Sequence, residues 1–189
     1  MKNKTLDLVY IGLSAALIAV CTWISIPLPS GIPVTLQTMG VCIVSALLGW
    51  KRGTLSTLVY ILLGLVGVPV FSQFRSGPAI LFGNTGGYII GFIFTALIVG
   101  AVSDSINKKQ INKTKKYVFL AVSMIVGIAV CYSFGTAWFA YIWAKSQEPA
   151  ALTTILGWCV LPYIIPDLIK IVFAVAITVP VSKIIKKNN

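Results

Sequence analysis

Six long apolar runs, with nearly all charges confined to the gaps between them, constrain this chain more than any other feature. A membrane-crossing helix needs about 20 mainly apolar residues. The runs fall at residues 8–27, 34–50, 54–70, 86–103, 117–144 and 151–182. Of the 189 residues, 58% are hydrophobic and 10% are charged, against about 25% charged in soluble globular domains. No segment is polar enough to form a separate soluble domain. The expectation is an all-α integral membrane protein, a single six-helix domain over residues 1–189. The N-terminal stretch MKNKTLDLVY is a retained first helix rather than a cleaved leader, because further spans follow it.

The net charge of +11 raises the question of nucleic acid. Its distribution argues against that, since there is no basic patch interleaved with aromatics. The distribution instead sets an orientation. Lys2, Lys4, Lys51, Arg52, Lys108, Lys109, Lys113, Lys115, Lys116, Lys183, Lys186 and Lys187 occupy alternate intervals, 12 residues in all, while the other intervals hold only 2, Arg75 and Lys145. Both termini are therefore expected in the cytoplasm of a multi-pass cell-membrane protein, and six spans satisfy that parity.

The remaining base, Lys170, lies inside the sixth run with Asp167, in LPYIIPDLIKIVF. A charge at a bilayer centre costs about 2.5–3.5 kcal/mol on insertion scales, and ionisable residues within spans are usually functional. Residues i and i+3 share a helix face. Asp167 precedes Lys183 by 16 residues, which places it about 24 Å above the cytoplasmic face. The pair is either a neutralised structural couple or a polar ligand site in the outer half of the membrane. An ionised Asp offers acceptors and Lys offers donors. Pro162 and Pro166 are expected to bend or break this run near its start.

Two connections reach the same outer face. The third, VFSQFRSGPAILFGNTGGYIIG, carries Asn84, which is a donor and an acceptor or else a helix N-cap. Tyr88 follows one turn later, as a ligand contact or an interfacial aromatic. Arg75 is a ligand contact or a solvated charge. Gly83, Gly86 and Gly87 permit tight turns and close approach. The first connection, SIPLPSGIPVTLQTMG, has no charge but carries Thr35, Gln37 and Thr38. Irregular backbone at membrane depth must be covered by protein or line a cavity, so it is read as a cap over the site, with Gln37 a ligand contact. In helix one, Ala15 and Ala19, and in parallel Gly12 and Ala16, form small-residue pairs that suit either internal packing or the docking of another membrane subunit.

Other chemistries find little support. There is no histidine. Cys21, Cys42, Cys131 and Cys159 each lie in apolar runs without CxxC spacing, so no metal site or disulfide is expected. GxxxxGK[ST] is absent, so the chain does not itself hydrolyse ATP. No cofactor is expected.

These motifs together carry a resemblance. ISIPLPSGIPVTLQT, LLGLVGVPVFS, GNTGGYIIGF and the Asp167–Lys170 spacing resemble, in order and over nearly the whole chain, the BioY family, the biotin-specific substrate-binding S-components of energy-coupling-factor transporters. The resemblance implies a six-helix bundle with an outward-facing vitamin pocket. It also implies a transmembrane coupling subunit and two ATPase subunits as partners, docked through the small face of helix one. The resemblance implies that biotin could bring a ureido N–H to Asp167 and its ureido edge to Asn84, with Lys170 donating to the carbonyl or neutralising Asp167, Arg75 meeting the carboxylate and Tyr88 walling the bicycle; which residue meets which group stays open. Competing expectations are an S-component for another small molecule, a membrane-embedded enzyme, and a scaffold without ligand.

Overall fold

The computed structural model describes residues 4–29, 31–109, 112–146 and 150–187. The chain opens with α1 (Lys4–Trp23), followed by a two-residue antiparallel pair, β1 (Ser25–Ile26) and β2 (Val34–Thr35), and by α2 (Gln37–Leu65). A 3₁₀ turn (Ser72–Phe74) and the short α3 (Pro78–Leu81) lead into α4 (Gly86–Lys109) and α5 (Lys113–Ser146). The last apolar run forms α6 (Leu152–Cys159) and α7 (Leu161–Lys187). The expected orientation marker Lys2 lies outside the described residues, as do the side chains of Lys183, Lys186 and Lys187.

Among the described residues, four helical stretches are long and apolar enough to cross a membrane: Lys4–Trp23, Gly86–Lys109, Lys113–Lys145 and Leu152–Ser182. The second and third runs of the sequence form the two arms of α2. The arms meet at Gly49, whose φ of 78° lies in the left-handed region that a side chain disfavours. The chain folds back there: a Cβ on Gly53 would lie 2.7 Å from Ser45 Cα, although a straight helix separates residues eight apart by about 12 Å. The carboxylate of Asp104, from the far end of α4, accepts from the Trp50 backbone N–H at 3.1 Å and so satisfies the new arm's first turn. Beside it Arg52 pairs with Asp7 of α1.

The expected break in the sixth run is present and falls at Val160 (φ −126°, ψ −55°), between α6 and α7. Pro162 then sits in the first turn of α7, where its missing N–H costs nothing, and Pro166 and Pro180 lie within the helix.

The glycines of GNTGGYIIG serve helix packing more than ligand approach. A Cβ on Gly87 would lie 2.3 Å from Trp138 Cβ, and one on Gly91 would lie 2.9 Å from Cys131 Cα. Only glycine lets α4 and α5 approach this closely, and Trp138 Nε1 then donates to Gly83 O at 2.9 Å. Buried apolar residues form two clusters. One includes Ile18, Tyr60, Phe71, Tyr88 and Phe139, towards the β1–β2 end. The other includes Cys42, Val99, Leu120, Met124 and Val179, towards the Gly49 end. The polar site lies where the two clusters meet.

Candidate ligand-binding site

Asp167 and Lys170 face inward from α7, with side chains 6% and 9% exposed. Lys170 Nζ donates to Asp167 Oδ1 at 2.7 Å. Thr38 Oγ1, from the first turn of α2, donates to the same oxygen at 3.2 Å. Tyr132 OH, from α5, donates to Oδ2 at 2.5 Å. Three helices thus converge on one carboxylate. Burial of an ion pair is tolerated only when its remaining polar positions are satisfied, and here two hydroxyls do much of that.

The pair borders a cavity of ≈ 640 Å³, counting its open mouth. Aromatic and aliphatic groups make most of its wall, among them Tyr60, Phe71, Tyr88, Ile89, Phe92 and Tyr163. This is the usual character of a small-molecule site: apolar walls with few, well-placed polar groups. The polar groups are held in place. Gln37 Nε2 donates to Tyr60 OH at 3.0 Å, and Tyr88 OH donates to Cys159 O at 3.0 Å. The β1–β2 segment closes over the cavity, contributing Ile32, Pro33 and Thr35 to its lining. Tyr163 OH ties that segment to α7 by donating to Ile32 O at 2.5 Å.

Asn84 and Arg75 do not line this cavity. They line a neighbouring one of ≈ 1070 Å³ on the same measure, built from the connecting segments, with Pro27, Gly31, Gln73 and Gly83. Pro33, Ser72, Ile80 and Thr85 line both, so the two cavities adjoin at the mouth. Asp167, Lys170, Gln37 and Tyr88 are therefore brought together, and Asn84 and Arg75 line the adjoining cavity.

The two small pairs of α1 separate. Ala15 and Ala19 are 1% and 4% exposed and pack in the core of this chain. Their small size serves internal contacts, the packing alternative of the two that the sequence offers for them. Gly12 and Ala16, on the adjacent strip of the helix, are exposed. All four cysteines are free, and Cys131 lines the central cavity.

Tyr132, Tyr60 and Tyr163 were not apparent as site residues in the sequence. Tyr163 had a readable signal, since 163, 167 and 170 recur at the spacing of one helix face. Tyr132 sits in a continuous apolar helix with no motif around it, and only the approach of α5 to α7 gives it a partner.

A model of the BioY family matches residues 1–187. The chain belongs to the BioY family. Relatives within it include "Biotin transporter BioY" of Thermotoga maritima, 33% identical over 178 residues, covering 94% of this chain and 96% of the relative. The "Probable biotin transporter BioY" of Pyrococcus horikoshii is 36% identical over 177 residues, covering 94% and 95%. The fold is similar to a crystal structure of the S-component for biotin from an ECF-type ABC transporter. That comparison has a TM-score of 0.82 and 28% identity, over 97% of this chain and 95% of the other. BioY membership makes this chain a membrane transport component rather than an enzyme.

Proposed function

We propose that this chain is the biotin-binding membrane subunit, or S-component, of an energy-coupling-factor vitamin uptake transporter. The observation that carries the reading is the buried Asp167–Lys170 pair, with Thr38 and Tyr132, at the base of an aromatic-walled cavity in a BioY family fold. Biotin suits such a site. It has ureido donors and a carbonyl for an Asp–Lys pair, an apolar bicycle and chain for the walls, and a carboxylate. A molecule reaching outward from Asp167 passes Thr85 and enters the second cavity, where Asn84 and Arg75 offer further polar contacts.

The proposed topology has six passes, with α2 supplying two through its Gly49 fold. Asp7, Arg52 and Asp104 gather at one end of the bundle, and the β1–β2 cap with the 72–85 connection lies at the other. The basic bias puts the first end, and both termini, in the cytoplasm. The pocket then opens outward. The chain would dock in the lipid bilayer against a transmembrane coupling subunit served by two ATPase subunits, since it carries no nucleotide-binding loop of its own.

The test is a calorimetric or tryptophan-fluorescence titration of the purified chain with biotin and a panel of other vitamins. Saturable binding of biotin, at least about a hundredfold tighter than any other vitamin, is expected. Preference for a different vitamin would keep the S-component reading and remove biotin. Binding of none would leave a scaffold.

A further inference from the structure

Tyr132 occupies a position that its role as one donor to Asp167 does not exhaust. Its ring borders three spaces. The first is the central cavity. The second is a groove of ≈ 410 Å³ between α5 and α7, lined by Ile125, Ile128, Ile164 and Leu168 together with Asp167. The third is a groove of ≈ 620 Å³ between α5 and α6, lined by Thr136, Ala140, Leu152 and Leu156. Ile125 and Leu168 are 47% and 49% exposed, and both lie within stretches apolar enough to cross a membrane. The α5–α7 groove therefore faces bilayer hydrocarbon. Asp167 is 4% exposed and lines that groove as well as the cavity. A carboxylate one side chain away from lipid is costly unless it is paired and covered.

The donor count adds a constraint. A carboxylate has about four acceptor positions, two on each oxygen. Lys170 and Thr38 fill those of Oδ1, and Tyr132 fills one of Oδ2. One position remains, on Oδ2, and the direction of the Tyr132 hydroxyl decides where it points.

We infer that Tyr132 is a specificity-determining positioning residue: its hydroxyl orients Asp167 so that one acceptor position is presented to a ligand N–H, and its ring partitions the polar cavity from bilayer hydrocarbon. The inference rests on the reading of the Asp167 cavity as the biotin site. Tyr132→Phe keeps the partition and removes the donor. Tyr132→Leu removes both.

The experiment measures biotin affinity of the full chain by calorimetry in four forms: wild type, Tyr132→Phe, Asp167→Asn and the double variant. Tyr132→Phe is expected to weaken binding about tenfold in the wild-type background and less than about twofold when Asp167 is already Asn, because it acts through that carboxylate. Wild-type affinity in Tyr132→Phe, or the same loss in both backgrounds, overturns the orienting role; the second result would mark a general effect on packing. Tyr132→Leu is then compared with Tyr132→Phe in detergents of increasing acyl length. Affinity that falls with chain length only in the Leu variant supports the partition, and identical behaviour of the two variants removes it. Failure of the wild type to bind biotin would remove the site reading itself, which distinguishes that outcome from failure of the inference alone.

Discussion

At the scale of single residues, the site depends on a balance of donors around Asp167. Lys170, Thr38 and Tyr132 all donate to it. Asp167→Asn preserves shape but places an NH₂ where one of these donors expects an acceptor. A hydrogen bond to a charged group contributes about 1.5–3 kcal/mol, and a mismatched buried partner costs a comparable amount. Biotin affinity should fall at least about tenfold, since about 1.4 kcal/mol is a factor of ten. Lys170→Met leaves a buried carboxylate without its cation, which is destabilising by about 3–5 kcal/mol when an ion pair is broken from one side. Its melting temperature should drop more than that of Asp167→Asn. The double variant should lose less than the sum of the singles, and strict additivity in calorimetry would mean that the residues do not act as a pair. The pair itself was legible in the sequence because charge is conspicuous in an apolar run. Tyr132 was not, because a tyrosine in a membrane helix is ordinary until its partner is known.

At the scale of elements, α1 shows a pattern that the sequence alone leaves open between packing and docking. Two parallel small-residue pairs lie on one helix, and the sequence contains nothing that ranks them. Packing against α2 and the core buries Ala15 and Ala19 and leaves Gly12 and Ala16 outside. A Cβ on Gly12 would meet nothing within 4 Å. Ala16→Trp should therefore leave the melting temperature and biotin affinity near wild type while abolishing co-purification with a coexpressed coupling subunit. Ala15→Trp should instead overpack the core, at a cost of about 1–3 kcal/mol or more, and lower the melting temperature. Equal co-purification of the wild type and Ala16→Trp would take the exposed pair out of the docking surface. The α2 fold makes a similar point. The return of the third run onto the second was expected from Lys51 and Arg52 between them, but its pivot was not: Gly49 is one of 16 glycines in the chain, and only the packed arms single out its left-handed φ.

At the scale of the whole molecule, orientation and topology are the quantities at stake. The last turn of α4 and the first turn of α5 together carry five lysines, Lys108, Lys109, Lys113, Lys115 and Lys116. They lie at the end of α4 that carries Asp104, which accepts from Trp50 N–H beside the Asp7–Arg52 pair. An Asn112→Cys variant lacking Cys21, Cys42, Cys131 and Cys159 should resist a membrane-impermeant thiol reagent in intact cells and react after permeabilisation. Labelling from outside would invert the molecule and turn the proposed pocket towards the cytoplasm.

Amino-acid order by itself determined the solvent, the class of fold, the sidedness expected from lysine placement, and the presence of a polar pair inside the membrane. Each follows from transfer free energies that act residue by residue, so composition and spacing suffice to read them. Tertiary structure alone decided which groups surround Asp167, that Asn84 and Arg75 line an adjoining cavity rather than the same one, which small residues of α1 are exposed, and that the turn between the second and third runs pivots at Gly49. Those outcomes depend on contacts between residues far apart in the chain, such as Thr38 with Asp167 and Tyr132 with Asp167. Such contacts exist only after helices have packed, and helix packing is settled by the joint fit of many side chains rather than by any one stretch of sequence.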